Sequence, residues 1–235
     1  MLCKIADLII EVPEAGGMAP RCRDYLTDEQ VGADIIIRAD LYKKEKYPHF
    51  DEDAVAYMES CSQFCSQLLN YNGLYLHSSA ICANGRAYLF SGPSGMGKST
   101  HTRLWQQILG SDAQVFNDDK PALRYIDGCW YAYGTPWCGK DGINQNRKVP
   151  LAGICFLRRG QENKIRIMEP FEASSRILSQ TIRKFRNMER LDILLDLLDR
   201  LVHDIPVYEF FNRPEPEAAW ISYTTMSSKA KELGL

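Results

Sequence analysis

The chain has 235 residues and a mass of 26.8 kDa, with 45% hydrophobic and 25% charged residues. That is enough to bury a real core in one domain, or in one domain with a small extra lobe, and it excludes a disordered or collagen-like chain. The 28 Lys and Arg nearly balance 30 Asp and Glu, for a net charge of −2, so no strong basic field exists to hold nucleic acid, and no apolar run approaches the roughly eighteen residues of a membrane span.

Met1 to Glu11 carries charges inside a short apolar stretch and lacks the long apolar core and small-residue cleavage site of a secretion signal. Eight cysteines without such a signal predict reduced thiols and a cytoplasmic location. No CxxC pair exists for zinc, and Cys61 and Cys65 read as small buried hydrophobes on a helix.

Residues 2–12 and 33–38 read as strands, separated by a Gly- and Pro-bearing turn stretch around Glu14 to Pro20. Helical spacing of Val55, Met58, Cys61, Cys65, Leu68 and Leu69 predicts a helix over 53–69. Strands 74–83 and 86–91 flank Asn84-Gly85, a strong hairpin signal because both residues tolerate positive φ. A helix follows from Ser99 to Leu109, ended by Gly110, then a short strand at 114–116 and a hairpin over 121–133 turning at Asp127-Gly128. Strands at 150–157 and 164–168, helices at 171–186 and 189–203, a strand at 205–211 and a helix at 215–233 complete the chain. The expected fold is α/β with a mixed sheet, divided into a small N-terminal α+β lobe (1–70) packed on a core (71–235).

The sharpest motif is Gly92-Pro93-Ser94-Gly95-Met96-Gly97-Lys98-Ser99, followed by Thr100. It fits G-x-x-x-x-G-K-[ST], the phosphate-binding P-loop or Walker A motif, between an apolar strand and a helix. The glycines let backbone N–H groups point inward at phosphate oxygens, and the helix adds its positive end. Lys98 is expected to reach the β- and γ-phosphates of ATP, and Ser99 to hold Mg²⁺. About twenty residues on, Asn117-Asp118-Asp119 ends a strand. Strand, helix and returning strand bring it beside the loop if the two strands run parallel. One carboxylate can bind the metal and the other can accept a hydroxyl proton, and either can take either role.

His77, before the loop, reads by itself more readily as structural than as catalytic. Gly134 to Lys140, continuing through Asn144, Asn146, Arg147 and Lys148, is a Gly- and Pro-punctuated surface loop able to cover an anion, with Lys140 as the candidate contact to phosphate or acceptor. Arg158 and Arg159 read as a solvated strand end. Leu-Ser-Gly-Gly-Gln and Asn-Lys-x-Asp motifs are both absent, which argues against an ABC ATPase and a guanine reader.

Over residues 70–160 the order of His77, the Gly92 to Ser99 loop and Asp118-Asp119 resembles the kinase domain of HPr kinase/phosphorylase and its relative phosphoenolpyruvate carboxykinase. The resemblance implies a mixed-sheet P-loop kinase fold and transfer of the γ-phosphate of Mg·ATP to a serine-type hydroxyl of a peptide, protein or small molecule. It also implies that His77, Asp118 and Asp119 surround the transferred group, and a ring-like homo-oligomer fits it. The separate N-terminal domain of full-length HPr kinases has no counterpart here. The alternatives are an ATP-binding regulator or sensor without transfer, and an ATPase acting on a partner. Neither nucleic acid nor a membrane is an expected partner.

Overall fold

A computed structural model describes residues 1–14, 17–29, 31–181 and 188–235. Where the sequence predicts one strand over 2–12 there is a hairpin: β1 (Leu2–Ile5) and β2 (Leu8–Glu11) pair antiparallel about Ala6 and Asp7. Both turn residues have left-handed φ, 55° and 60°, although neither is Gly or Asn, so the local signal for a turn is weak. Distant side chains hold it instead. Arg124 donates to the Ala6 carbonyl at 2.6 Å, and Tyr133 and Lys148 both donate to the Asp7 carboxylate at 2.7 Å.

The strand predicted at 33–38 shrinks to β3 (Ile35–Ile36), parallel to β2. The predicted turn stretch contains a short helix, α1 (Met18–Cys22), with Pro20 in its first turn, where a missing N–H is tolerated. Helix α2 (Glu52–Leu68) starts at Asp51, whose carboxylate accepts from the Ala54 N–H at 2.7 Å. Its Cys61, Phe64, Cys65 and Leu68 pack on the three-stranded sheet and on Ala122, Tyr133 and Trp137 from later in the chain.

The remaining strands are β4 (Gly73–Tyr75), β5 (Ser78–Ala83), β6 (Arg86–Ser91), β7 (Ala113–Asp119), β8 (Ala122–Ile126), β9 (Cys129–Tyr133), β10 (Lys148–Arg159), β11 (Lys164–Ile167) and β12 (Val207–Asn212). They form one curled mixed sheet in the order β4-β8-β9-β10-β6-β5-β7, with β12 on β10 and β11 on β12. The curl comes from β10, which is long enough to serve two partners in succession. Lys148 to Pro150 pair antiparallel with β9; after an irregularity between Leu151 and Gly153 the strand runs parallel to β6. The hairpin turns at Asn84-Gly85 and Asp127-Gly128 both have positive φ at both residues, as predicted.

Helices α3 (Lys98–Leu109) and α6 (Pro216–Glu232) cover one face of the sheet around Tyr88, Phe90, Trp105, Tyr208 and Met226. Helices α4 (Pro170–Ser179) and α5 (Met188–Asp204) cover the other, with Ile177, Leu194 and Leu198 against Leu89, Phe116 and Ile154. The result is a mixed α/β fold with both sheet faces buried. The helix predicted over 171–186 ends at Ser179, and residues 182–186 of that prediction lie outside the described residues. In α6, Ala218, Ala219 and Met226 pack inward on the core, which leaves Trp220 half exposed. Among the described residues no helix is long and apolar enough to cross a membrane.

Candidate active site

Three strand ends meet at one edge of the sheet. β5 lies between β6 and β7 and is antiparallel to both, so β6 and β7 run parallel to each other one strand apart. Ser78 is level with Ser91 on one side and with Asp119 on the other. The Gly92–Ser99 loop leaves β6 and the Asp118-Asp119 pair closes β7 at the same level, the carboxyl end of parallel strands where α/β sheets bind ligands. A bulge at Phe116 sets the phase of the acidic pair on β7.

In the loop, Gly92, Gly95 and Gly97 have φ of 143°, 76° and 98°, conformations that a side chain would strain, and Gly97 opens α3. Lys98, at the first turn of α3, donates to the Gly92 and Pro93 carbonyls at 3.0 and 3.3 Å. Burial lowers its pKa against the raising pull of Asp119 and Asp118. The Ser99 hydroxyl lies 2.8 and 3.1 Å from the two Asp118 carboxylate oxygens. A hydroxyl and a carboxylate brought together suit a hard cation such as Mg²⁺, which takes few protein oxygens and completes its shell with water and phosphate.

Asp119 has different neighbours. Its Oδ1 is 3.2 Å from His77 Nε2, and its Oδ2 accepts from Lys120 Nζ at 2.5 Å and from the Tyr57 hydroxyl at 3.1 Å. Burial works to raise the Asp119 pKa, but the hydrogen bonds and charges of His77 and Lys120 outweigh it and hold the carboxyl well below the usual range. Asp119 also has a φ of 111°, rare for a residue with a side chain and worth roughly 1–3 kcal/mol of strain. The cost is met by what surrounds it, including a bridge to Cys138.

His77 is not on a strand. The predicted strand 74–83 is broken into β4 and β5, because β4 pairs with β8 while β5 pairs with β6 and β7, and His77 sits in the step between. Its Nδ1 is 3.2 Å from Gln180 Oε1, which aims Nε2 at Asp119.

The 134–148 loop lies against β7. Gly139 N–H donates to the Asp118 carbonyl at 2.6 Å, and Asp118 N–H to the Ile143 carbonyl at 3.1 Å. The sequence-derived residues thus divide in space. A cleft of about 470 Å³ collects His77, Ser94, Gly95, Gly97, Lys98, Ser99, Thr100, Asp118, Asp119 and Lys140. Gly92, Pro93 and Met96 line a different cleft, and Met96 also lines a third with Gly95, Gly97 and Thr100. Arg158 is no solvated strand end: its Nε pairs with buried Glu209 at 2.7 Å, alongside Arg166 and Arg176. Arg159 reaches the Gly95 carbonyl at 3.3 Å.

Sequence reasoning missed Tyr57, Lys120 and Gln180. Lys120 follows the acidic pair directly and was within reach of a local reading. Tyr57 and Gln180 lie 62 and 103 residues from the groups they touch, and no local pattern marks them.

No family model matches the chain, and no curated protein matches it. Among solved structures, the HPr(Ser) kinase/phosphatase from Coxiella burnetii aligns with 55% of this chain and 92% of its own, at 15% sequence identity and a TM-score of 0.30.

Proposed function

We propose that the chain is an ATP-dependent kinase that transfers the γ-phosphoryl group of Mg·ATP to a hydroxyl, on a P-loop fold with residues 1–70 as an accessory lobe. The observation that carries this reading is the division of labour between adjacent carboxylates: Asp118 meets Ser99, and Asp119 meets His77 and Lys120, above one glycine loop. A site that only bound a nucleotide would have no use for the second carboxylate.

Lys98 and the N–H groups of residues 94–99 hold the phosphates, with Thr100 at the rim, and the start of α3 favours their charge. Ser99 and Asp118 hold Mg²⁺, which when bound neutralises phosphate charge. A cleft of about 490 Å³ beside Gly95 and Thr100, lined by Leu104, Asn212 and Pro214, offers a slot for the nucleoside. Asp119 accepts a hydrogen bond from the acceptor hydroxyl. As the acceptor oxygen bonds to the γ-phosphorus and the bond to the β,γ-bridging oxygen breaks, its proton passes to Asp119 and ADP leaves. The low pKa of Asp119 makes it a weak base, which suits a loose transition state that requires orientation more than early proton removal. His77 and Lys120 fix its two oxygens, and Lys140 stands over the same cleft.

The test is transfer of γ-labelled phosphate from Mg·ATP into a fractionated extract of the cells that make the protein. Asp118→Asn and Asp119→Asn should each lower transfer about 10²–10⁴-fold while ATP still binds. Free phosphate without a labelled acceptor would instead indicate an ATPase, and bound ATP that never loses label a regulator.

A further inference from the structure

A second cleft, about 630 Å³, adjoins the phosphate cleft and shares Gly139 and Lys140 with it. Its other walls come from α1 and α2: Arg21, Asp53 and Tyr57, with Asn144 from the loop opposite. Tyr57 joins the two spaces. Its ring carries the Arg21 guanidinium 4.8 Å from its centroid, and its hydroxyl donates towards the Asp119 carboxylate at 3.1 Å and the Cys138 carbonyl at 3.0 Å. A ligand here has Asp119 at one end and the charges of the N-terminal lobe along its length.

Those charges are not used up within the chain. Arg21 donates, among the described residues, only to the neutral carbonyl and sulfur of Cys138, at 3.3 and 3.2 Å. Among the described residues, Arg21, Lys140 and Asp53 make no ion pair within the chain, whereas Lys120 and Arg103 at the neighbouring positions do. Asn144 donates to the Arg21 backbone carbonyl at 3.1 Å and ties α1 to the loop, so the guanidinium sits in a braced wall. Asp53 lies over Gly17, the residue that opens α1, four positions before Arg21, so a carboxylate and a guanidinium share the walls of the cleft.

We infer that this cleft is the acceptor site and that it takes a small zwitterionic hydroxyl compound, a free hydroxy amino acid. Its carboxylate pairs with Arg21 and Lys140, its ammonium with Asp53, and its hydroxyl points past Tyr57 to Asp119. An internal peptide serine presents neither backbone charge and would leave all three side chains unmatched. The inference rests on the kinase reading for the fate of the hydroxyl, but the binding does not depend on it.

Binding is therefore measured without nucleotide, by titrating L-serine, D-glycerate (no ammonium) and ethanolamine (no carboxylate) into the full chain. L-Serine should bind at least tenfold more tightly than either analogue. Arg21→Gln should weaken it at least tenfold and Asp53→Asn about threefold, with ATP affinity unchanged. Asp53 is exposed and makes no ion pair among the described residues, so its substitution reads the site at the cost of no more than a first-turn charge on α2. The assignment is overturned if L-serine shows no saturable binding, or if both variants bind it as the wild type does. It is equally overturned if label moves from ATP only to a peptide or protein. Serine binding with this charge dependence, but no label passing from Mg·ATP to serine or to any other acceptor, would sink the kinase reading and leave the cleft standing as a zwitterion-binding site.

Discussion

The two clefts that meet at Lys140 are built in opposite ways. The glycine-loop side is built mainly from one stretch of chain: β6, the Gly92–Ser99 loop and α3 follow each other without interruption, joined by His77, the acidic pair at the end of β7 and Lys140 from the 134–148 loop. The far side is assembled from α1, α2 and the 134–148 loop, which are separated by tens of residues. A contiguous element can be recognised by its spacing because the backbone itself fixes the geometry. An assembled one exists only after Trp137 stacks on Phe64, with centroids 4.6 Å apart, and its indole N–H donates to Ser60 at 2.9 Å. That buried contact joins the loop to α2 and thereby carries Tyr57 to Asp119.

The comparison can be broken at three levels. The largest effect should come from the contiguous side: Lys98→Met removes the one buried ammonium of the loop, and turnover should fall at least about 10³-fold, with weaker nucleotide binding in equilibrium titration. Near-normal transfer by that variant would mean that the loop does not hold the phosphates. A smaller effect belongs to the assembled side. Tyr57→Phe deletes one donor to a charged acceptor, a bond worth about 1.5–3 kcal/mol, so kcat should fall about 10- to 100-fold at unchanged ATP affinity. Unaltered kcat would show that the N-terminal lobe is a neighbour of the site and no part of it.

The smallest effect concerns the scaffold beneath the loop. His101 of α3 is buried, its Nε2 lies 2.9 Å from Ser222 Oγ, and its Nδ1 has no partner among the described residues. Ser222 already donates to the Ala218 carbonyl, which assigns the ring proton to Nε2. Burial pushes the His101 pKa down to about 4 from an ordinary 6.5. Between those values the unfolded chain binds the proton and the folded chain does not, so stability falls as pH drops from about 6.5 to 4, by on the order of 3 kcal/mol. Asp119 acts in a lower window: its depressed pKa adds stability above the ordinary carboxyl value, which is lost only on further acidification. Urea midpoints across pH 4–7 should therefore slope in the wild type and flatten in His101→Gln. An equal slope in both would place the titration elsewhere.

Much of this architecture is legible in the sequence where signals are local. Asn84-Gly85 and Asp127-Gly128 predict their hairpins because positive φ is a property of those residues. The spacing of apolar residues predicts α2, and the ranges read for α3, α5 and α6 agree to within one or two residues. Ala6-Asp7 is missed because its turn is imposed by Arg124, Tyr133 and Lys148 from the other sheet. His77 is misplaced on a strand because a chain that changes partners mid-run still looks continuous in hydropathy.

The sequence by itself determined the glycine loop, the lysine and serine after it, and the acidic pair one helix and one strand later, because each depends on short-range geometry that residue type and spacing encode. Only the tertiary structure decided which carboxylate meets Ser99 and which meets His77, and that Tyr57 and Lys120 share the second. Those contacts depend on strand register and on the packing of α2 across the sheet, and both follow from burial summed over the whole chain.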